Sequence, residues 1–486
     1  MTARDVVVIG GGLAGITAAI TLREAGADVT LLEARPWLGG ATSSFSRGGL
    51  KIDTGQHVFL RCCTSYRELL ARLGVTGSAT LQDRFDVTVL APGGGRARLR
   101  RSALPAPLHL GRALVGYGFL SLPERLRVGR AALALRTLDP ARPGLDGQRL
   151  GDWLGSRGQT ERARRRLWDL FIVSSLNIDG DEASVPLAAT VLKTALLGDN
   201  DAADIGVPAV PLGELHGQAA AALLGRLGAD VRLGTKATAV EADLAGGFRV
   251  QVSSGADGDD GPDPDGEAAP AAGARAPGTR EISADGVVLA VPAGTAARLA
   301  SAAGVAGADR WNDLSSSPIV NVHVVYDRRV TRLPFAAAVD SPVQWVFDKT
   351  RTSGLKTGQY LAISLSAADG YVDVPAARLR ERFLPALEEL FPAARDARVT
   401  DFFVTRERRA TFRQAPGCAA LRPGAATSLP GLVLAGAWTD TGWPDTMEGA
   451  VRSGRTAAQE LIQQMAGLAE PAGTAGPARA AAGSPS

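Results

Sequence analysis

Two groups of residues, near opposite ends of the chain, have the types and spacing to hold and use a redox cofactor. Gly10, Gly12 and Gly15 form G-x-G-x-x-G between a β-branched run, Val6 to Ile9, and a helical pattern from Leu13 to Ala25. In that setting the first glycine permits a tight turn, the second admits a pyrophosphate to the backbone, and the third lets helix and strand close on each other. The helix N-terminus then offers unpaired N–H groups and a partial positive charge to the phosphates. Glu33 ends the next strand, Val29 to Leu32, 23 residues after Gly10. A carboxylate there accepts hydrogen bonds from both ribose hydroxyls and repels a 2′-phosphate, which disfavours NADP.

A second glycine loop follows, with Arg35, Gly39 and Gly40, and then the turn Asp53-Thr54-Gly55-Gln56-His57. An NAD site has no evident need of these, so they point to FAD. Near the other end a strand closes at Gly436, a loop holds Trp438, Asp440, Trp443 and Pro444, and a helix starts near Glu448. Gly449, Ala450, Ser453, Gly454, Ala457 and Ala458 recur along it at spacings of three and four. Such a face can lie against backbone or a flat ring. With its N-terminus at the N1 and C2 carbonyl edge of an isoalloxazine, the helix dipole would favour the anionic reduced flavin. Close helix-on-sheet packing would use the same small residues.

The elements around these motifs read as an α/β fold. A βαβ unit begins at residue 5. Leu215 to Leu227 is a helix pattern, followed by the strands Asp230 to Leu233, Ala237 to Ala242 and Gly286 to Val291; Leu432 to Gly436 leads into the helix Met447 to Ile462. These pieces are expected to form one discontinuous Rossmann-like FAD-binding domain from residues 1–80, 205–300 and 415–465. Residues 81–204, mostly helical in pattern, and 301–414, with strands at Ile319 to Tyr326, Val343 to Phe347 and Tyr360 to Leu365, are expected to form an α+β substrate-binding domain. Residues 253–280 and the tail 466–486 are low in large apolar side chains and are read as disordered.

Composition narrows the class. The 486 residues are 45% apolar and 21% charged, enough for a large core in two or three domains. A net charge of +3 gives no reason to expect a nucleic-acid partner. Cys62, Cys63 and Cys418 have neither metal-ligand spacing nor a disulfide framework, so no metal is expected and a cytoplasmic location is. The apolar start is read as a buried strand and helix rather than a signal peptide, and no run is long enough to span a membrane. Residues 96–136 carry nine arginines, one glutamate and an apolar stretch around Leu108 to Leu122. They suit either a peripheral membrane-docking surface or a solvated basic face over an ordinary helix.

With these segments in view, the chain resembles the flavin-dependent amine oxidase and phytoene desaturase superfamily over nearly its whole length. Within it, Asp53 to His57, Gln344-Trp345-Val346-Phe347-Asp348, Thr439 to Pro444 and Thr446 to Val451 resemble the hydroxysqualene dehydroxylases, as does Leu176-Asn177 followed by Glu182-Ala183-Ser184. The superfamily commonly places Asp after the glycine of the C-terminal strand, where it contacts the pyrophosphate or ribityl chain, and this sequence has Ala437. The candidate cofactor contacts are Gly10, Gly12, Leu13, Ala14, Gly15, Glu33, Ala34, Arg35, Gly39, Gly40, Ala41, Gly55, Gln56, His57, Ala239, Val240, Gly436, Met447, Glu448 and Ala450. The resemblance implies conversion of hydroxysqualene to squalene with reduced FAD, on the route to hopanoids.

Replacing C–OH by C–H needs a proton donor and a hydride. The candidate acids are His57 and Asp440; the plainer alternatives are a satisfied core histidine and a loop cap. An isoprenoid substrate calls for a long apolar tunnel, which the strands Ile319 to Tyr326 and Gln344 to Phe347 could line unless they are plain core. No second dinucleotide fingerprint is present, so electrons are expected from freely binding NAD(P)H or a separate reductase. A carotenoid desaturase, an amine oxidase and a non-catalytic FAD-binding partner of an isoprenoid synthase are the competing readings.

Overall fold

The computed structural model describes residues 4–243, 246–254 and 278–467. Five short parallel strands, β1 (Asp5–Ile9), β2 (Asp28–Leu32), β3 (Asp230–Arg232), β4 (Gly286–Leu289) and β5 (Leu432–Leu434), build one sheet in the order β3-β2-β1-β4-β5. Helix α1 (Leu13–Glu24) crosses from β1 to β2, and α2 (Met447–Gly467) follows β5. The valine- and leucine-rich β1, β4 and β5 are buried on both faces, while the edge strand β3 is largely exposed. Ile16, Ile20, Ala457, Ala458 and Leu461 share their core, so α1 and α2 pack on one side of the sheet.

Ala237 to Ala242 does not join this sheet. It lies in the strand Thr235–Ala242 of a separate antiparallel sheet with Phe248–Ser254 and Gly278–Ala284. The segment read as disordered therefore begins and ends in paired backbone, at residues 253–254 and 278–280, while 255–277 lie outside the described residues. Likewise α2 runs to Gly467, and only 468–486 of the expected tail lie outside them.

The second large sheet has seven strands, in the order Val399–Phe412, Ser316–Tyr326, Gln359–Leu365, Trp345–Asp348, Phe335–Ala338, Asp86–Ala91 and Gly95–Arg100. The last two fall at the start of residues 81–204, whose remainder from Leu108 to Leu197 is mostly helical as expected. Arg96, Arg98 and Arg100 alternate with the buried Ala97 and Leu99, a period of two that suits a half-buried strand. Part of the arginine-rich segment is thus sheet edge. Val320, Val322 and Val324 on the second of these strands share a core with Phe383 and Leu387, so this face is closed core and not a tunnel wall.

Candidate functional site

The first glycine loop is built under two different constraints. Gly10 has φ +109°, and a Cβ on it would stand 2.3 Å from the Ala290 carbonyl oxygen; a Cβ on Gly15 would stand 1.8 Å from the carbonyl oxygen of Gly10. Both positions are therefore fixed by the protein's own packing. Gly12 is not: its φ of −75° suits any residue, and a Cβ there meets no protein atom within 4 Å. A bare backbone with open space before it, at the first turn of α1 where the amides of Leu13, Ala14 and Gly15 have no intrahelical partner, fits the close approach of a pyrophosphate. No acidic side chain competes for that turn.

The second glycine loop lies directly on the first. Gly39 N–H donates to the Gly11 carbonyl at 2.8 Å, and a Cβ on Gly40 would stand 3.0 Å from the Gly12 Cα. Glu33 is held at the same place, accepting from the Gly11 N–H at 2.7 Å and the Arg35 N–H at 2.8 Å. Ala34 is exposed, and beyond it Gly234 N–H donates to the Arg35 carbonyl and Thr235 N–H to that of Glu33. That pairing brings the start of the strand carrying Ala239 and the fully buried Val240 beside the acidic end of β2.

The turn 53–57 is tied to this loop by Thr54, whose hydroxyl donates to the Ala41 carbonyl at 2.7 Å. Asp53 is sealed, accepting from Ser44, the Leu212 N–H and Lys349 Nζ at 2.7–2.9 Å. Past Gly55, Gln56 Nε2 and His57 Nδ1 are buried with no hydrogen-bond partner among the described residues. Burial lowers the His57 pKa, opposed by the Gly55 backbone and by Asp53 and reinforced by Lys349, so the ring is neutral near pH 7. A neutral imidazole is a weak proton donor, which counts against His57 as the acid.

At the C-terminal loop Gly436 has φ +142°, and a Cβ there would meet the Trp438 indole at 2.4 Å. The loop is gathered around the buried guanidinium of Arg422, which donates to the carbonyls of Ala437 (3.1 Å), Trp438 (3.3 Å), Thr439 and Trp443 (2.8 Å). Asp440 is exposed, and its Oδ1 accepts the Gly442 N–H at 3.2 Å. It is a turn cap facing solvent, a structural role that leaves it a poor candidate for the acid. Glu448 is sealed with its carboxylate turned to the helix Thr64–Arg72, accepting the N–H groups of Ser65 (3.2 Å) and Tyr66 (2.7 Å) and pairing with Arg452. The small-residue face serves packing, since a Cβ on Gly454 would stand 2.1 Å from the Ala14 carbonyl oxygen of α1. Met447 and Ala450, half-buried on the first turn, remain beside the loop.

Three residues that the sequence reading passed over hold or border this region: Arg422, Lys349 and Asp445. Nothing local marks the first two, because their partners lie 15 to 21 and 296 positions away. Asp445 stands between two quoted motifs. Its Oδ2 accepts the Phe412 N–H at 2.9 Å, and its own N–H donates to Gln414 Oε1 at 3.1 Å.

The geometry agrees with the comparisons. A profile described as flavin containing amine oxidoreductase matches residues 13–462. The hydroxysqualene dehydroxylase of Rhodopseudomonas palustris is 29% identical, covering 94% of this chain and 98% of its own. The zeta-carotene desaturase of Arabidopsis thaliana is 26% identical, covering 96% and 86%. Among solved structures, a putrescine oxidase with bound putrescine superposes with TM-score 0.68 at 19% identity, over 95% of this chain and 99% of its own. The cyclohexylamine oxidase of Brevibacterium oxydans does so with TM-score 0.67 at 20% identity, over 96% and 100%. The fold is that of a Rossmann-like FAD-binding unit joined to an α+β unit, the cofactor is FAD, and the protein is an oxidoreductase. The chain belongs to the flavin containing amine oxidoreductase family.

Proposed function

We propose that the protein reductively removes the hydroxyl group of hydroxysqualene to give squalene, on the route to hopanoids. The observation that carries this reading is the similarity to a hydroxysqualene dehydroxylase along almost the full length of both chains. Reduced FAD, when bound, supplies the hydride that replaces the hydroxyl. The chain's own part is to hold it: backbone amides of Gly12 to Gly15 at the pyrophosphate, Glu33 at the ribose, Gly39 to Ala41 over the first loop, Gln56 and His57 toward the ring, and Gly436, Met447 and Ala450 at its edge. Electrons come from NAD(P)H or a separate reductase.

Desaturation of a carotenoid is the second reading, favoured by the similarity to zeta-carotene desaturases, and it runs the redox direction the other way. One experiment separates the two and an amine oxidase besides. Photoreduced protein, mixed anaerobically with hydroxysqualene, is expected to regain the oxidised flavin spectrum and release squalene. Oxidised protein reduced by phytoene or by an amine, with hydroxysqualene inert, would overturn the proposal.

The substrate resides in lipid, and one surface suits that source. The helix Leu122–Thr137 buries Val128, Ala131 and Leu135 on one stripe and presents Leu122, Leu126 and Leu133, 62%, 65% and 57% exposed, on another. Leu104, Leu108 and Val115 are exposed beside them in sequence, and Arg112, Arg127, Arg130 and Arg136 are exposed among them. Apolar side chains interleaved with arginine match an anionic bilayer surface. Among the described residues no helix is long and apolar enough to cross a membrane. Salt-sensitive co-sedimentation with anionic vesicles is expected, and its loss in a Leu122→Ser, Leu126→Ser, Leu133→Ser protein; a dimer broken by the same changes would assign the face to a second copy instead.

A further inference from the structure

We propose that Asp445 is the catalytic acid that protonates the departing hydroxyl group of the substrate. The inference rests on the function proposed above, which requires such an acid, and on where the fold puts carboxylates. Asp440 is spent on an exposed turn, Glu448 is sealed on the helix Thr64–Arg72, and Asp53 is sealed by Lys349, Ser44 and a backbone amide. Asp445 differs from all three. Its side chain is half-buried, neither sealed like Glu448 and Asp53 nor exposed like Asp440. Oδ2 is taken by the Phe412 N–H, and among the described residues no hydrogen bond engages Oδ1.

Its position is where the parts of the molecule meet. The loop that carries it joins β5 to the N-terminus of α2. Phe412 ends the outer strand of the seven-stranded sheet, and Gln414, which holds the Asp445 backbone, also donates to the Leu176 carbonyl of the helical segment. Ligand sites form preferentially at such junctions. Burial pushes the Asp445 pKa up to about 6, opposed by the Phe412 N–H and by Arg422. Arg422, on the segment after the outer strand, is the facing charge; on α2, Glu448 is already paired with Arg452. A carboxyl poised close to the working pH is suited to proton transfer.

In the step assigned to it, the Asp445 proton passes to the substrate hydroxyl oxygen as the C–O bond breaks, and water leaves with the bonding pair. The electron-poor carbon takes a hydride, whose two electrons come from reduced FAD and ultimately from the NAD(P)H-class donor. The carboxylate regains its proton from solvent, so ROH, one proton and one hydride give RH and water.

The test uses FAD-loaded protein carrying Asp445→Asn or Asp445→Glu, with anaerobic single turnover of hydroxysqualene followed across pH. Asp445→Asn is expected to keep its flavin spectrum and melting temperature, and to slow turnover by about 100-fold or more. It should also lose the fall in rate that wild type shows as pH rises past about 6. Asp445→Glu should recover part of the rate with that limb displaced. Infrared difference titration of the protein without substrate should show a carboxyl titrating near 6 in wild type and none in Asp445→Asn. Turnover of Asp445→Asn within about threefold of wild type, with an unchanged pH profile, would overturn the assignment. If wild type itself leaves hydroxysqualene untouched, the function fails and the donor role with it, a result recognised by wild type and variant failing alike.

Discussion

The two glycine loops at residues 10–15 and 39–40 and the C-terminal loop at 436–446 approach one site by opposite means. The first pair is shaped by backbone against backbone: Gly39 N–H on the Gly11 carbonyl, Gly40 over Gly12, and Gly15 against Gly10. The C-terminal loop has little such support, and the buried Arg422 supplies it by donating to four of its carbonyls. A loop built from glycine contacts announces itself by its spacing. A loop held by a distant guanidinium does not.

Paired substitutions in the glycine loop should have the largest effect and break the comparison most directly. Gly15→Ala puts a methyl group into the Gly10 carbonyl, so it should lower the melting temperature and abolish flavin retention together. Gly12→Ala meets no protein atom, and should leave the melting temperature near wild type while losing most bound FAD, read as the ratio of flavin to protein absorbance. Equal FAD content in Gly12→Ala and wild type would remove the pyrophosphate assignment.

On the other side, Arg422→Met leaves four carbonyls without their donor and should cost about 3 kcal/mol in chemical denaturation, with weaker FAD binding. Arg422→Lys should recover little, since a single ammonium cannot span a fork that reaches from Ala437 to Trp443. Stability unchanged in Arg422→Met would mean that the loop holds its shape by itself.

The smallest effect concerns His216, which bonds the Tyr66 hydroxyl at 2.7 Å beneath the second glycine loop. Burial, with His57 adding to it, lowers its pKa from 6.5 to about 4. The folded protein therefore binds fewer protons than the unfolded chain between those values, and stability falls as pH drops from about 6.5 to 4. His216→Gln should flatten that part of the melting curve against pH; an unaltered slope would assign it to His57 and His323, whose pKa values burial also lowers.

What could be read from the chain alone follows the same division. Gly10, Gly15 and Gly39 were legible because a positive φ or a close approach is a local steric demand that only glycine meets. The parallel strands were legible as unbroken β-branched and leucine runs. The strand Gly95–Arg100 was hidden because arginine at every second position looked like a charge run, and only its pairing with Asp86–Ala91, itself beside Phe335–Ala338, gives it a buried face.

The sequence by itself determined a dinucleotide fold, its flavin-type double glycine loop and the segments that gather around it, since those depend on residue type and spacing over a few positions. The tertiary structure alone decided what the polar groups are for. Asp440 and Asp445 are five positions apart in one loop, and one caps an exposed turn while the other is half-buried where three segments meet. The difference is desolvation, set by Phe412, Gln414 and Arg422 arriving from elsewhere in the chain, and no pattern in the loop itself encodes their arrival.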